Sequence, residues 1–214
     1  MPLSPEGRRG LIVFLIGLFL VACVLAFTAG QLFYRDGWGR ITGGPSLSPG
    51  EQVAPVSIGG DFALTDQNGQ VRHPADFRGA LMLVYFGYSY CPDACPTALQ
   101  DMSSALDALG PQGDQVQPIF ITIDPERDTA AQLKLYAENF HPRLLALTGT
   151  QDQVAEAARA YRVFYQKANS SEGGDYLMDH SSFIYLMGRD GNYISHFGPG
   201  ITAEEMAAAI ARHL

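Results

Sequence analysis

Twenty consecutive residues, Leu11 to Gly30, carry no charged side chain, and most of that run, LIVFLIGLFLVACVLAF, is continuously apolar. As a helix it would be about 26–30 Å long, enough to cross the hydrocarbon core of a bilayer. Arg8 and Arg9 stand just before it. Residues 1–10 are therefore expected to remain cytoplasmic, residues 11–30 to form a transmembrane anchor, and the rest to be exported. A cleaved leader is the rival, with Val24-Leu25-Ala26 before the cut. The run exceeds the roughly 7–15 apolar residues of an ordinary leader, which favours a retained anchor. LVAC, ending at Cys23, has the form of a lipoprotein cleavage box, but Val24–Phe27 continue the apolar run. Cys23 then reads as a small membrane-embedded side chain.

Residues 31–57 contain GWGRITGGPSLSPG, rich in Gly, Pro and Ser and without periodicity, and are expected to be a flexible linker. Residues 58–214 are long enough to bury a core of their own. Of the chain's 14 basic and 22 acidic residues, residues 1–50 hold four Arg and two acids, leaving 10 basic and 20 acidic beyond them. That acidic balance argues against nucleic acid or anionic lipid as a partner of the exported part.

Within that part, DFALTDQNGQVRH alternates around Asn68-Gly69 and reads as a hairpin. ALMLVYFGYSY from Ala80 is a buried strand. Leu99, Met102, Leu106 and Leu109 then recur at helical spacing over roughly 93–109. VQPIFITID (116–124) is a second buried strand, followed by a helix from Asp128-Thr129 to about Phe140. A short strand near 144–147 precedes the capping box Thr150–Gln153 and its helix. FIYLM and YISHF pair across Arg189-Asp190-Gly191-Asn192, and a second box, Thr202–Glu205, opens the last helix. Strands alternating with helices, then an antiparallel edge, predict an α/β domain, thioredoxin-like with inserted hairpins.

The stretch YSYCPDACPTAL (88–99) contains two of the chain's three cysteines, Cys91 and Cys95, at a strand-to-helix junction. At i and i+4 of a helix, Cβ atoms lie about 5–6 Å apart. Two thiolates so placed can grip one ion or close a disulfide, and a helix N-terminus favours the thiolate that both chemistries need. Spacing alone leaves disulfide, redox couple and metal site open. Of the five histidines, His180 is the best placed to add a ligand, standing between the polar stretch NSSEGGDYLMD and the strand SSFIYLM. The freedom of residues 168–177 would let that ring swing, so metal binding is expected to order them. His73, His141, His196 and His213 are expected to be structural or surface residues. Asp124 is expected to be a turn residue and Met178 to pack.

LMLVYFGYSYCPDACPTAL, FITIDPERDT and DHSSFIYLMGRDG resemble, in order, three signature stretches of the Sco/SenC family, across roughly residues 55–214. Proteins of that family are membrane-anchored copper proteins of the bacterial periplasm and the mitochondrial intermembrane space. The resemblance implies one copper, as Cu(I) or Cu(II), held by Cys91, Cys95 and His180. It also implies a role in assembling the dinuclear copper centre of cytochrome c oxidase, by delivering copper, by reducing the receiving cysteines, or both. The implied partners are the copper-centre subunit or another copper chaperone. The implied location is the bacterial inner membrane, single pass, with the C-terminal domain in the periplasm, or the mitochondrial equivalent. Tyr90 departs from the family pattern, standing where many relatives carry histidine.

The chemistry of the ligands agrees with the resemblance. Soft thiolates suit Cu(I), and three ligands suffice for it, whereas a structural zinc site wants a fourth. A rival from another class is a thiol–disulfide oxidoreductase using Cys91 and Cys95 as a redox pair. Enzymes of that type space their cysteines by two residues rather than three and carry a proline where this chain reads Met178-Asp179-His180-Ser181. A peroxidase would need an arginine beside its cysteine that the sequence does not identify.

Overall fold

A seven-residue strand without one exposed side chain, Leu81–Gly87 (β3), organises the fold. Such a strand needs partners on both edges and cover on both faces. In the computed structural model it has β4 (Val116–Thr122) parallel on one edge and β8 (Ile184–Met187) antiparallel on the other. The structure describes residues 57–168 and 176–214, together with residues 19, 23–28 and 30–31. Residues 23–28 are helical. Most of the expected anchor (11–30), of the expected linker (31–57) and of the stretch 168–177 expected to be free falls outside the described residues. Among the described residues, no helix is long and apolar enough to cross a membrane.

The hairpin β1 (Leu64–Asp66) and β2 (Val71–Arg72) turns through Gly69 at φ +81°, and Asp66 accepts hydrogen bonds from the Asn68 and Gln70 amides. β1 also pairs with β5 (Leu145–Thr148), and β9 (Tyr193–Phe197) completes the sheet, whose order is β2-β1-β5-β4-β3-β8-β9. Pro118 interrupts neither ladder, because β5 reaches only Ile119–Ile121 and leaves its nitrogen on an open edge. Helix α1 (Ala94–Ala108) packs against α4 (Ala203–Ala211), and α2 (Ala130–Ala137) packs on β5. The capping boxes at Thr150 and Thr202 start α3 (Gln151–Ala160) and α4 as expected.

One element departs from the expected order. β6 (Tyr165–Lys167) and β7 (Met178–His180) form a separate two-stranded ribbon, pairing Tyr165 with His180. His180 was expected at a loop-to-strand junction, yet it ends a strand of its own. Three-residue strands with few apolar side chains give almost no periodic signal, and only the ribbon pairing forms them.

Candidate metal centre

β3 ends at Gly87, and the glycine is needed: a Cβ there would lie 2.8 Å from the Cys95 sulfur. The chain then turns through residues 88–93 before α1 begins, so Cys91 precedes the helix and only Cys95 lies within it. The expected helix span of roughly 93–109 holds, so the pair consists of one helical thiol and one at the helix mouth, and not of two on one helix face. The free Cys95 amide of the first turn donates to Cys91 Sγ at 3.4 Å, a bond that helix ends offer to anions. Both thiols are free, Cys95 buried and Cys91 partly exposed.

The third predicted residue, 85 positions further along the chain, closes on them. His180 Nε2 lies 3.6 Å from Cys95 Sγ, and Nδ1 lies 3.0 Å from the Ser181 carbonyl. A carbonyl only accepts, so Nδ1 carries the proton and Nε2 presents its lone pair toward the sulfurs. Tyr85 and Tyr88 pack edge-on against the ring at centroid distances of 6.1 and 6.2 Å, fixing its plane. The Tyr85 hydroxyl also lies 3.8 Å from Cys95 Sγ. The hydrogen bond from Cys95 lowers the Cys91 thiol far below its ordinary value, against partial burial. Cys95 is raised, because it donates to Cys91 and is buried. Their shared hydrogen bond thus shifts the two thiols in opposite directions, Cys91 toward the thiolate. Among the described residues, no group of three or more His, Cys, Asp or Glu side chains is gathered tightly enough to cage an ion as it stands.

The loop is held from below by Asp128. This fully buried carboxylate accepts from the Ser89 amide (3.0 Å), the Ser89 hydroxyl and the Thr122 hydroxyl, and burial pushes its pKa up despite them. The ribbon is held differently. Arg127 pairs with Asp124, donates to the Tyr176 carbonyl at 3.1 Å, and lies 3.7 Å over the Tyr176 ring. Tyr176 donates to Asp124 at 2.7 Å, and the Met178 amide donates to the Tyr88 hydroxyl at 3.2 Å. Asp124 is buried in this clasp and Met178 packs, whereas Tyr90 stands exposed under the Arg127 guanidinium.

The remaining histidines lie elsewhere. His73 bonds the Phe62 carbonyl, His141 accepts from the Arg143 amide, His196 contacts the Tyr193 hydroxyl, and His213 follows α4. The sequence reading missed Tyr85, Tyr88, Arg127 and Asp128. Arg127 and Asp128 stood in the quoted DPERDT stretch, but nothing local says which side chain turns toward the cysteines.

A βαβ unit followed by an antiparallel hairpin and a closing helix, with a dithiol at the end of the first strand, defines a thioredoxin-like α/β protein carrying a dithiol–imidazole cluster. Residues 50–214 match the SCO1/SenC family model. The chain belongs to the SCO1/SenC family. The mitochondrial SCO2 homolog of Mus musculus is 45% identical over 167 residues, covering 77% of this chain and 66% of that protein. The chain thus spans just under two thirds of that relative's length. The copper-bound structure of Bradyrhizobium japonicum ScoI is 46% identical, with a TM-score of 0.69 over 74% of this chain and 100% of that one. BsSco is a member of the Sco family of cytochrome c oxidase assembly proteins in which a disulfide switch was identified. It is 25% identical, with a TM-score of 0.59 over 74% of this chain and 94% of its own.

Proposed function

We propose that the protein is a membrane-anchored copper carrier in which Cys91, Cys95 and His180 hold one copper ion, destined for the dinuclear copper centre of cytochrome c oxidase. The observation that carries this reading is the 3.6 Å approach of His180 Nε2 to Cys95 Sγ. One ion bonded to sulfur at about 2.3 Å and nitrogen at about 2.0 Å, with bond angles of 110–120°, needs a separation of roughly 3.5–3.7 Å between them. The remaining adjustment falls on Cys91, which lies outside the helix. Two thiolates and an imidazole suit Cu(I) above harder ions. Copper bound to the ScoI relative supports the same choice. The partner on this reading is the copper-centre subunit of the oxidase or another copper chaperone. Residues 11–30 would keep the domain at the outer face of the bacterial inner membrane, or in the intermembrane space.

The test is anaerobic titration of the full chain in neutral detergent with Cu(I) and Cu(II), on the wild type and on His180→Ala. The wild type should bind one copper, and His180→Ala should lose at least about tenfold in affinity, as loss of a ligand requires. Equal affinity would sink the assignment.

A second reading, reduction of a client's cysteines, is favoured by the asymmetry of the two thiols. Cys91 is the more accessible thiol and the one shifted toward the thiolate, suited to attack a disulfide, and buried Cys95 is suited to resolve the mixed disulfide. His180→Ala separates the two roles, because a dithiol reductant would keep most of its exchange rate.

A further inference from the structure

Beside the dithiol, a groove with about 580 Å³ of open space runs between the first two turns of α1, β8 and the β9–α4 loop. Neither cysteine lines it, but its lining includes their chain neighbours. Asp93 and Ala94, both between the two cysteines, form its mouth, and Tyr85, whose hydroxyl meets Cys95, forms part of its wall. Along α1 it extends to Asp101, seven residues or about 10 Å, the length of three extended residues. Ala98, Ile184 and Ile201 give it an apolar floor.

Its rim is acidic. Asp93 is the residue before α1, yet its side chain makes no capping hydrogen bond. Burial, and after it repulsion from Glu204 of α4, pushes the Asp101 pKa up. Among the described residues, none of these three carboxylates takes part in an ion pair. Unpaired like charges beside an apolar trough are complementary to a short extended strand with cationic side chains.

We propose that this groove docks an extended segment of the client polypeptide, one that carries lysine or arginine beside the cysteine presented to Cys91. The proposal rests on the exchange chemistry of the preceding section and adds the recognition element to it.

The test uses the full chain in neutral detergent with Cys23→Ser, so that only the site thiols react. Two hexapeptides, each with one cysteine blocked as its thionitrobenzoate mixed disulfide, carry either two lysines or two glutamates beside that cysteine. The Cys91 thiolate attacks the peptide sulfur. A Cys91–peptide disulfide forms, and the coloured thionitrobenzoate anion leaves with the bonding pair, giving the rate directly. The lysine peptide should react about tenfold faster, within the range of electrostatic steering by a charged cleft. Asp93→Asn with Asp101→Asn and Glu204→Gln should bring the ratio close to one. Neutralising three acids elsewhere (Asp107→Asn, Asp114→Asn, Glu156→Gln) should leave most of it. Ala98→Trp should slow both peptides while leaving the rate with the small reagent dithiobis(nitrobenzoate) unchanged.

Equal rates for the two peptides, a ratio that survives neutralisation of the rim, or a ratio equally lost in the distant triple variant would overturn the proposal. Copper titration of the same variants keeps the two claims apart. Copper binding without peptide discrimination rejects the groove alone, and discrimination without copper binding rejects the carrier reading alone.

Discussion

The two halves of the metal centre are held in contrasting ways. Cys91 and Cys95 stand at the end of β3, a strand buried along its whole length and paired on both edges. His180 stands on a ribbon outside that sheet, whose two strands have three residues each. Packing and a buried carboxylate fix the dithiol side. Arg127, Asp124, Tyr176 and one hydrogen bond to Tyr88 fix the imidazole side. Interiors of a sheet paired on both edges yield little, whereas a two-stranded ribbon of three residues per strand opens at lower cost. A site built from one rigid half and one held by a polar clasp can take up and give up an ion by moving only the ribbon.

Asp128→Ala should break the rigid half. It leaves the Ser89 amide and the Thr122 hydroxyl buried without their acceptor, and bonds to a charged group are worth about 1.5–3 kcal/mol each. A loss of about 3 kcal/mol in denaturant unfolding is expected. A loss below about 1 kcal/mol would mean that packing alone positions the cysteine loop.

Arg127→Ala should loosen the other half, at a cost of about 3 kcal/mol, because it leaves the buried Asp124 carboxylate without its cation. Its effect falls on the ribbon: hydrogen exchange at residues 176–180 should accelerate while β3 stays protected. Copper affinity should fall about tenfold. Exchange accelerated equally in β3 would erase the contrast between the halves.

The smallest effect concerns the Cys91 proton. Its thiol is lowered in the fold chiefly by the hydrogen bond from Cys95. A depressed folded value means that the thiolate, and the stability it contributes, is fully present above the unfolded value of about 8.5 and is lost only as pH falls through the folded value. In the metal-free chain, alkylation of Cys91 read by peptide mass should therefore stay level from pH 9 to below pH 7. An ordinary thiol would slow about tenfold per unit over the lower part of that range. Cys95→Ala should move the fall to higher pH. A profile already falling at pH 8 in the wild type would show that the Cys95 thiol does not hold the Cys91 anion.

The major elements of the domain were legible in the sequence because each is set by a local pattern. β3 and β4 are unbroken apolar runs, the Asn68-Gly69 turn uses glycine where φ is positive, and Thr150 and Thr202 carry reciprocal caps. The candidate ligands were legible too, because the cysteine spacing and the family-like stretches are compact signals. The β6–β7 ribbon was not legible, because strands of three residues lack a detectable period.

The amino-acid order by itself thus determined which segments are buried, where the helices cap, and which three side chains are candidates for one ion. Tertiary structure alone decided that His180 and Cys95 meet across 85 residues, that Asp128 and Arg127 hold the two halves, and that an acidic groove opens beside them. The reason is physical: periodicity and capping act within a few residues, whereas these contacts depend on how β3, α1 and the ribbon are brought together in space.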